Sequence, residues 1–266
     1  MVTSTVKIIR FDLKVGIEEI REDTVALDEA ICIFINGEYY RTMITTPAML
    51  KELVVGHLLG EGIIHSLDDL KEIEIKLMKA YVELDGEVDL DLIGRSKVEL
   101  ITTACGSLST PLGERELKSL AIGSDVHVKA ETILDMVREL NLRSKVYRRT
   151  GGTHCAMLAT AKGGILAFSE DVGRHNAVDK VIGAGLLDGV NFGECVLVSS
   201  GRQSSEIVLK VARSGIPIIA SVAGPLESGI RVAEATGITL VCFVRGVRMN
   251  IYTHQRRIIT CEDSPA

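Results

Sequence analysis

The sequence has no tryptophan, and only 4% of its residues are aromatic. Proteins that hold single-stranded nucleic acid stack bases on aromatic rings, so this scarcity argues against such a ligand. Long apolar runs are missing too. None reaches the ~20 residues that a membrane-spanning helix needs, and Met1 to Lys7 offers no apolar core of a secretory signal. The expectation is a soluble, cytoplasmic chain. Cysteine is sparse: Cys32, Cys105, Cys155, Cys195, Cys242 and Cys261 are scattered, and no two form a C-x-x-C. A thiolate zinc knuckle is therefore not expected, and in a cytoplasm these thiols should stay reduced. P-loop spacing is also absent.

What is present is a globular composition, 46% hydrophobic and 25% charged over 266 residues, with a formal net charge of −6. That length suits one large domain or two small ones. The charge is uneven. Residues 61–92 are rich in Asp and Glu and read as a solvated face, whereas Arg143, Lys145, Arg148, Arg149 and Lys162, and later Arg245, Arg248, Arg256 and Arg257, stand in windows without acids. Brought together, those windows would make a local pocket for a small anion on an acidic protein; a duplex would need a broader basic face.

Two halves emerge along the chain. In the first, Ala30–Ile35 and Tyr39–Ile44 flank Asn36-Gly37, a hairpin signal because the tight turn needs positive φ. Thr46 is placed to cap a following helix with Pro47 at its first position and Gly60 at its end. His57 lies beside that helix's apolar stripe and reads as structural. Further strands are expected near 73–78, 81–84 and 98–101. The second half predicts a helix over 131–140, strands near 154–160 and 164–168, a helix over 175–186, a strand at 195–199, a helix over 203–213, a strand at 216–221, a helix over 226–235 and a strand at 238–244. This order predicts a layered α/β sheet, largely parallel after its first hairpin. The expected division is an α+β domain over 1–101, a linker loop over 102–124 carrying Cys105, and an α/β domain over 125–266. Cys105 stands among small polar residues, whereas Cys32, Cys195 and Cys242 fall in predicted strands and read as packing residues.

The densest polar stretch is Ser169-Glu170-Asp171-Val172-Gly173-Arg174-His175-Asn176-Ala177-Val178-Asp179-Lys180, set where a strand ends and a helix begins. At such junctions of an α/β sheet, free helix N–H groups and side chains converge on ligands. Ser200-Gly201-Arg202 and Phe243-Val244-Arg245-Gly246-Val247-Arg248 occupy two more strand ends, with glycines that permit close approach and arginines that clamp phosphate. Arg202 and Arg245 are expected to converge on one polyanion site.

These segments, with Thr150-Gly151-Gly152-Thr153-His154, Glu52 to Gly56 and Asn250 to Thr253, give the chain a resemblance to the formate dehydrogenase accessory sulfurtransferase family, FdhD, over most of its length. The resemblance implies a carrier that takes persulfide sulfur from a cysteine desulfurase and passes it to the molybdenum bis-guanine-dinucleotide cofactor for formate dehydrogenase. It implies Cys105 as the residue that bears the sulfur, a cofactor site at Gly173, Arg174, His175, Asn176, Ser200, Gly201, Arg202 and Phe243 to Arg248, a homodimer, and a cytidine-deaminase-like fold for the second half. One departure stands out: the family's C-G-x-C is here Cys105-Gly106-Ser107-Leu108, so a second loop cysteine is absent. A single thiolate suffices to accept and hold a persulfide sulfur.

The implied fold raises two rival readings. A zinc deaminase needs H-x-E and P-C-x-x-C, and His154 is followed instead by Cys155 and Ala156. Neighbouring strand residues point to opposite faces, so His154 and Cys155 cannot easily share a metal with His175; no zinc is expected. His154 and His175 are better suited to hold a phosphate or a developing thiolate. The other rival is a chaperone that binds the cofactor without chemistry, separated from a transferase only by Cys105.

Overall fold

The computed structural model describes residues 1–86 and 114–260. The expected strand at 98–101, Cys105 with Leu108, and Cys261 lie outside the described residues. Four sheets are present among them. Strands β1 (Thr3–Asp12) and β2 (Ile17–Ala26) form an antiparallel ribbon, paired from Thr3↔Ala26 to Asp12↔Ile17. The second sheet runs in the order β4-β3-β6-β5, from β3 (Glu29–Ile35), β4 (Glu38–Thr45), β5 (Leu70–Lys76) and β6 (Lys79–Leu84). The hairpin turns at Asn36 and Gly37, both at positive φ, as the Asn-Gly pair requires.

The third sheet has six strands: β8 (His154–Thr160), β9 (Ile165–Asp171), β10 (Cys195–Ser199), β11 (Ile218–Ser221), β12 (Thr239–Arg245) and β13 (Arg248–Ile251), in the order β13-β12-β11-β10-β8-β9. Only β10, β11 and β12 run parallel; β8 and β13 are antiparallel to their neighbours. A short parallel pair, β7 (Val128–Lys129) with β14 (Ile258–Ile259), completes the set.

Helix α1 (Leu50–Glu61) covers the four-stranded sheet. Its start differs from the sequence expectation. The N-cap is Met49, in the left-handed region, and no side chain caps it. Thr46 is used elsewhere: its hydroxyl accepts from the Val172 N–H (3.2 Å) and its carbonyl from the Lys180 ammonium (2.9 Å). The helix also runs past Gly60 and ends at Gly62, whose φ of 74° suits a glycine C-cap. The expected linker carries a short helix, α2 (Glu114–Ser119), which packs on α7 (Glu227–Thr236). Helix α3 (Ala130–Arg143) lies on one face of the six-stranded sheet and leads into α4 (Lys145–Thr150). On the other face lie α5 (Arg174–Leu187), α6 (Ser205–Arg213) and α7.

The two sheet faces bury different cores. Cys155, Met157, Val196, Val198 and Val244 pack under α3; Ala156, Leu158, Leu197, Cys242 and the apolar residues of α5 and α6 pack with α1 and β3. This second core joins the two halves of the chain. Its centre is the crossing of α1 and α5, where glycines let the backbones touch. No helix among the described residues is long and apolar enough to cross a membrane.

Candidate functional site

The polar run after β9 divides into a buried part and an accessible part. Asp171 is fully buried, and its carboxylate accepts hydrogen bonds from the Lys180 ammonium (2.5 Å), the Thr45 hydroxyl (2.5 Å), the Thr46 N–H (3.1 Å), the Gly173 N–H (2.8 Å) and the Asn176 amide (3.0 Å). Asn176 donates also to the Ile44 carbonyl (2.7 Å). These contacts clasp the first half of the chain to the second. The amide nitrogen of Asn176, a residue expected in the cofactor site, is thus engaged in the clasp.

A second buried cluster lies one turn further along α5. Lys210 sits 2.9 Å from Asp179 and 3.2 Å from Glu61, and His57 approaches Asp179 at 3.4 Å. Burial works against the Asp179 carboxylate, but Lys210 and His57 hold its pKa below the usual carboxylate range. Burial, with Lys210 beside it, pushes the pKa of His57 down. His57 is therefore a structural residue, as its place on the helix stripe suggested.

The accessible part gathers where β8 begins and where β9 and β10 run into their helices. Gly173 is the N-cap of α5, and Arg174 opens the helix with its side chain lying over Gly201. Ser200 accepts the Cys155 N–H (2.9 Å), and its hydroxyl stands 3.3 Å from Nδ1 of His154. His175 Nε2 is 2.9 Å from the Glu206 carboxylate. Arg202 is exposed. Burial above all, and then the neighbouring Arg174 and Arg202, push the pKa of His154 below its ordinary 6.5 against the opposing pull of Asp171, which favours the neutral ring. Glu170 takes no part: its oxygens accept the N–H groups of Val146 (3.0 Å) and Tyr147 (2.8 Å) at the start of α4.

The third strand end, Phe243 to Arg248, lies at the same edge of the sheet. Phe243 has φ 53°, a left-handed backbone rare for an aromatic residue, at the irregularity between Cys242 and Arg245. The kink turns its ring onto Gly224, where a Cβ would stand 2.7 Å from the ring edge, so a side chain there would have to displace the ring. The Arg245 guanidinium is 5.6 Å from the Phe243 ring centre, and its Nε donates to the Val222 carbonyl (3.1 Å). Val244 is buried under α3, and Val247 and Arg248 are exposed on the turn into β13. Between this strand end and α3 lies a cavity of about 280 Å³, with Leu134, Val137, Val222 and Val244 as apolar walls and Arg138, Asn141 and Arg245 as polar groups.

Arg202 is not among the residues that line the cavity beside Arg245. Arg245 borders the cavity on the α3 face, whereas Arg202 acts on His154 on the face of α5 and α6, with β11 between their strands. The α3 contribution to the cavity was not anticipated. Nothing local in Arg138 or Asn141 marks them; only the packing of α3 across the strand ends brings them there. Arg257, counted in a basic window, is also unavailable: it is buried and donates to the carbonyls of Ser124, Gly237 and Ile122.

Three of the four described cysteines are poor nucleophiles. Cys155, Cys195 and Cys242 are buried, and burial raises all three pKa values, to about 11 for Cys195 and about 12 for Cys242. Cys32 is half-buried, with its sulfur 3.4 Å from the Thr42 hydroxyl. Cys155 lies in the core under α3, on the face opposite His154, so the two cannot share a ligand. No group of three His, Cys, Asp or Glu suited to a metal occurs among the described residues.

Comparison with known proteins agrees with this architecture. A sequence model of the FdhD/NarQ family matches residues 26–259. The sulfur carrier protein FdhD of Methanothermobacter thermautotrophicus is 40% identical over 241 residues, 89% of this chain and 92% of that protein. The protein of the same name from Thermoplasma acidophilum is 37% identical over 250 residues, 89% of this chain and 87% of its own length. A crystal structure of a candidate formate dehydrogenase accessory protein from Desulfotalea psychrophila superposes with a TM-score of 0.80 at 27% identity, covering 97% of this chain and all of that one. With the match spanning both halves and all three strand-end loops, the chain belongs to the FdhD/NarQ family.

Proposed function

We propose that this protein is a sulfur carrier in formate dehydrogenase maturation, with Cys105 as the residue that bears the sulfur. The observation that carries the reading is the state of the described thiols: three are buried with raised pKa values and the fourth is half-buried against Thr42. Of the remaining two, Cys261 is followed by Glu262 and Asp263, whose charge opposes a thiolate, whereas Cys105 stands among small and polar residues. The Cys105 thiolate attacks the terminal sulfur of a persulfide on a cysteine desulfurase. The new S–S bond forms at Cys105 as the donor's S–S bond breaks, and the donor leaves as a thiolate; no net oxidation occurs.

The acceptor in this reading is the molybdenum bis-guanine-dinucleotide cofactor, held as substrate. The cavity beside Arg245 supports it: apolar walls suit a flat base, and Arg138 and Arg245 suit its phosphate. Phe243 and Gly246, at positive φ, shape the loop that brings Arg245 there. The test is loading by a desulfurase, followed by activation of a formate dehydrogenase. Cys105→Ala should fail in both; normal activation by that variant would leave a chaperone that binds the cofactor without carrying sulfur.

A further inference from the structure

The outer face of the four-stranded sheet takes no part in the strand-end site. Its inner face packs under α1 through Ile31, Ile33, Ile35, Ala80 and Val82, so the alternate residues of β3 and β6 point away from the core. Helix α1 thus stands between this face and the six-stranded sheet. We propose that the outer face docks a basic, extended segment of a partner protein, whose arginine or lysine side chains lie on a row of aromatic rings bordered by carboxylates.

The row follows from register. Glu74 pairs with Tyr81, Tyr81 with Phe34 and Phe34 with Tyr39, so four side chains stand side by side across β5, β6, β3 and β4. Phe34 and Tyr81 stack with ring centres 5.4 Å apart and planes at 15°, and Tyr39 meets Phe34 edge-on at 5.9 Å. The register shift at Phe34 makes this possible: it turns Tyr40 inwards, with its hydroxyl 3.5 Å from His57, and leaves Tyr39 outside. The Tyr39 hydroxyl lies 3.0 Å from that of Thr42, which fixes the ring in advance of any ligand. In a chain with five Tyr and five Phe, three rings on one sheet face are a concentration. They are also open: Tyr39 is 58% exposed and Tyr81 39%, with Ile44 of the same face at 54%.

Charge selects the ligand. Glu72 and Glu83 are register partners in the next row, both exposed, and like charges directly opposite each other repel. The ion pairs of these strands, Lys71 with Asp85 and Lys76 with Glu74, leave both of them out among the described residues. A guanidinium or ammonium group placed there relieves the repulsion and reaches the face of Tyr81. Aromatic rows also stack nucleic-acid bases, but these carboxylates repel phosphate, and they repel an anionic membrane for the same reason. Strands set roughly 4.8 Å apart make the row about 14 Å wide, an open surface that suits a polypeptide segment and gives a small molecule no enclosure.

Fluorescence anisotropy at low salt, with the full chain and a labelled decapeptide of alternating arginine and threonine, tests this. The alternating glutamate–threonine peptide is its counterpart. The arginine peptide should bind and the glutamate peptide should not. Tyr81→Ser and Glu83→Lys, both at exposed positions and checked for an unchanged melting temperature, should weaken the arginine peptide by about threefold to thirtyfold, as for a lost cation–π contact or ion pair. Asp135→Lys on α3 changes the net charge as much as Glu83→Lys does and should leave the affinity within about twofold of wild type. No binding of the arginine peptide, no loss in Tyr81→Ser, or equal losses in Glu83→Lys and Asp135→Lys would overturn the proposal. So would a dimer, seen by sedimentation, that Tyr39→Ser and Glu83→Lys dissociate, since a second copy of the chain would then occupy the face.

Discussion

Gly56 and Gly183 face each other across the contact between α1 and α5, so closely that a Cβ on either would fall on backbone atoms of the opposite helix, the Asp179 carbonyl in one case and the Glu52 carbonyl in the other. Backbone cannot step aside as a flexible side chain can. Gly56→Ala or Gly183→Ala should therefore push the helices apart and destabilise the protein by at least about 1–3 kcal/mol, the usual cost of overpacking. Urea unfolding midpoints measure this. Gly189→Ala is the control for a glycine without steric neighbours, since a Cβ there meets nothing within 4 Å, although its φ of 66° carries a smaller backbone penalty.

The clasp around Asp171 predicts a different kind of loss. Lys180→Met leaves a buried carboxylate facing its remaining donors without a cation, and breaking a buried pair from one side costs about 3–5 kcal/mol. Asp171→Asn combined with Lys180→Met removes both charges and should recover part of that loss. A double-mutant cycle in urea decides; strictly additive losses would mean that the two side chains are not coupled.

Acid should weaken the fold before the carboxylates titrate. His57 and His154 have pKa values lowered in the folded protein, so as the pH falls below about 6.5 the unfolded chain takes up protons first and stability declines towards the lower folded values. Asp179, with its pKa lowered, adds stability above its ordinary value of 3.8 that is lost only at more acid pH. Melting temperatures at about pH 7.5 and about pH 5.5 should drop less for His57→Gln than for wild type. An equal or larger drop in the variant would remove His57 from the account.

Much of this arrangement was legible in the residues. Asn36-Gly37 announced its hairpin because two successive positive φ values leave few alternatives, and the strands at 154–160 and 195–199 stand where their apolar runs placed them. The ribbon of β1 and β2 was not anticipated: most of its residues are exposed on both faces, so no alternation of burial marks it. The start of α1 was misplaced because Thr46 answers to Asp171, Val172 and Lys180, some 125 residues away, rather than to its own helix. The same long-range contact explains why half of the polar run proved structural. A sequence shows that Asp171, Asn176 and Lys180 are polar; only the fold shows that Thr45 and Ile44 use them up. Arg202 and Arg245 were expected to converge because both follow strand ends; the fold sets Arg245 at the cavity under α3 and Arg202 beside His154, a placement that the packing of the helices decides.

The central claim concerns one sulfur atom on one side chain, and mass spectrometry of the full chain after incubation with a cysteine desulfurase and cysteine tests it most directly. The account predicts one added sulfur per chain, mapped by peptide analysis to Cys105, absent from Cys105→Ala and retained when Cys32, Cys155, Cys195, Cys242 and Cys261 are each replaced by serine. A persulfide on any of those five residues, or full loading of the Cys105→Ala protein, would contradict it.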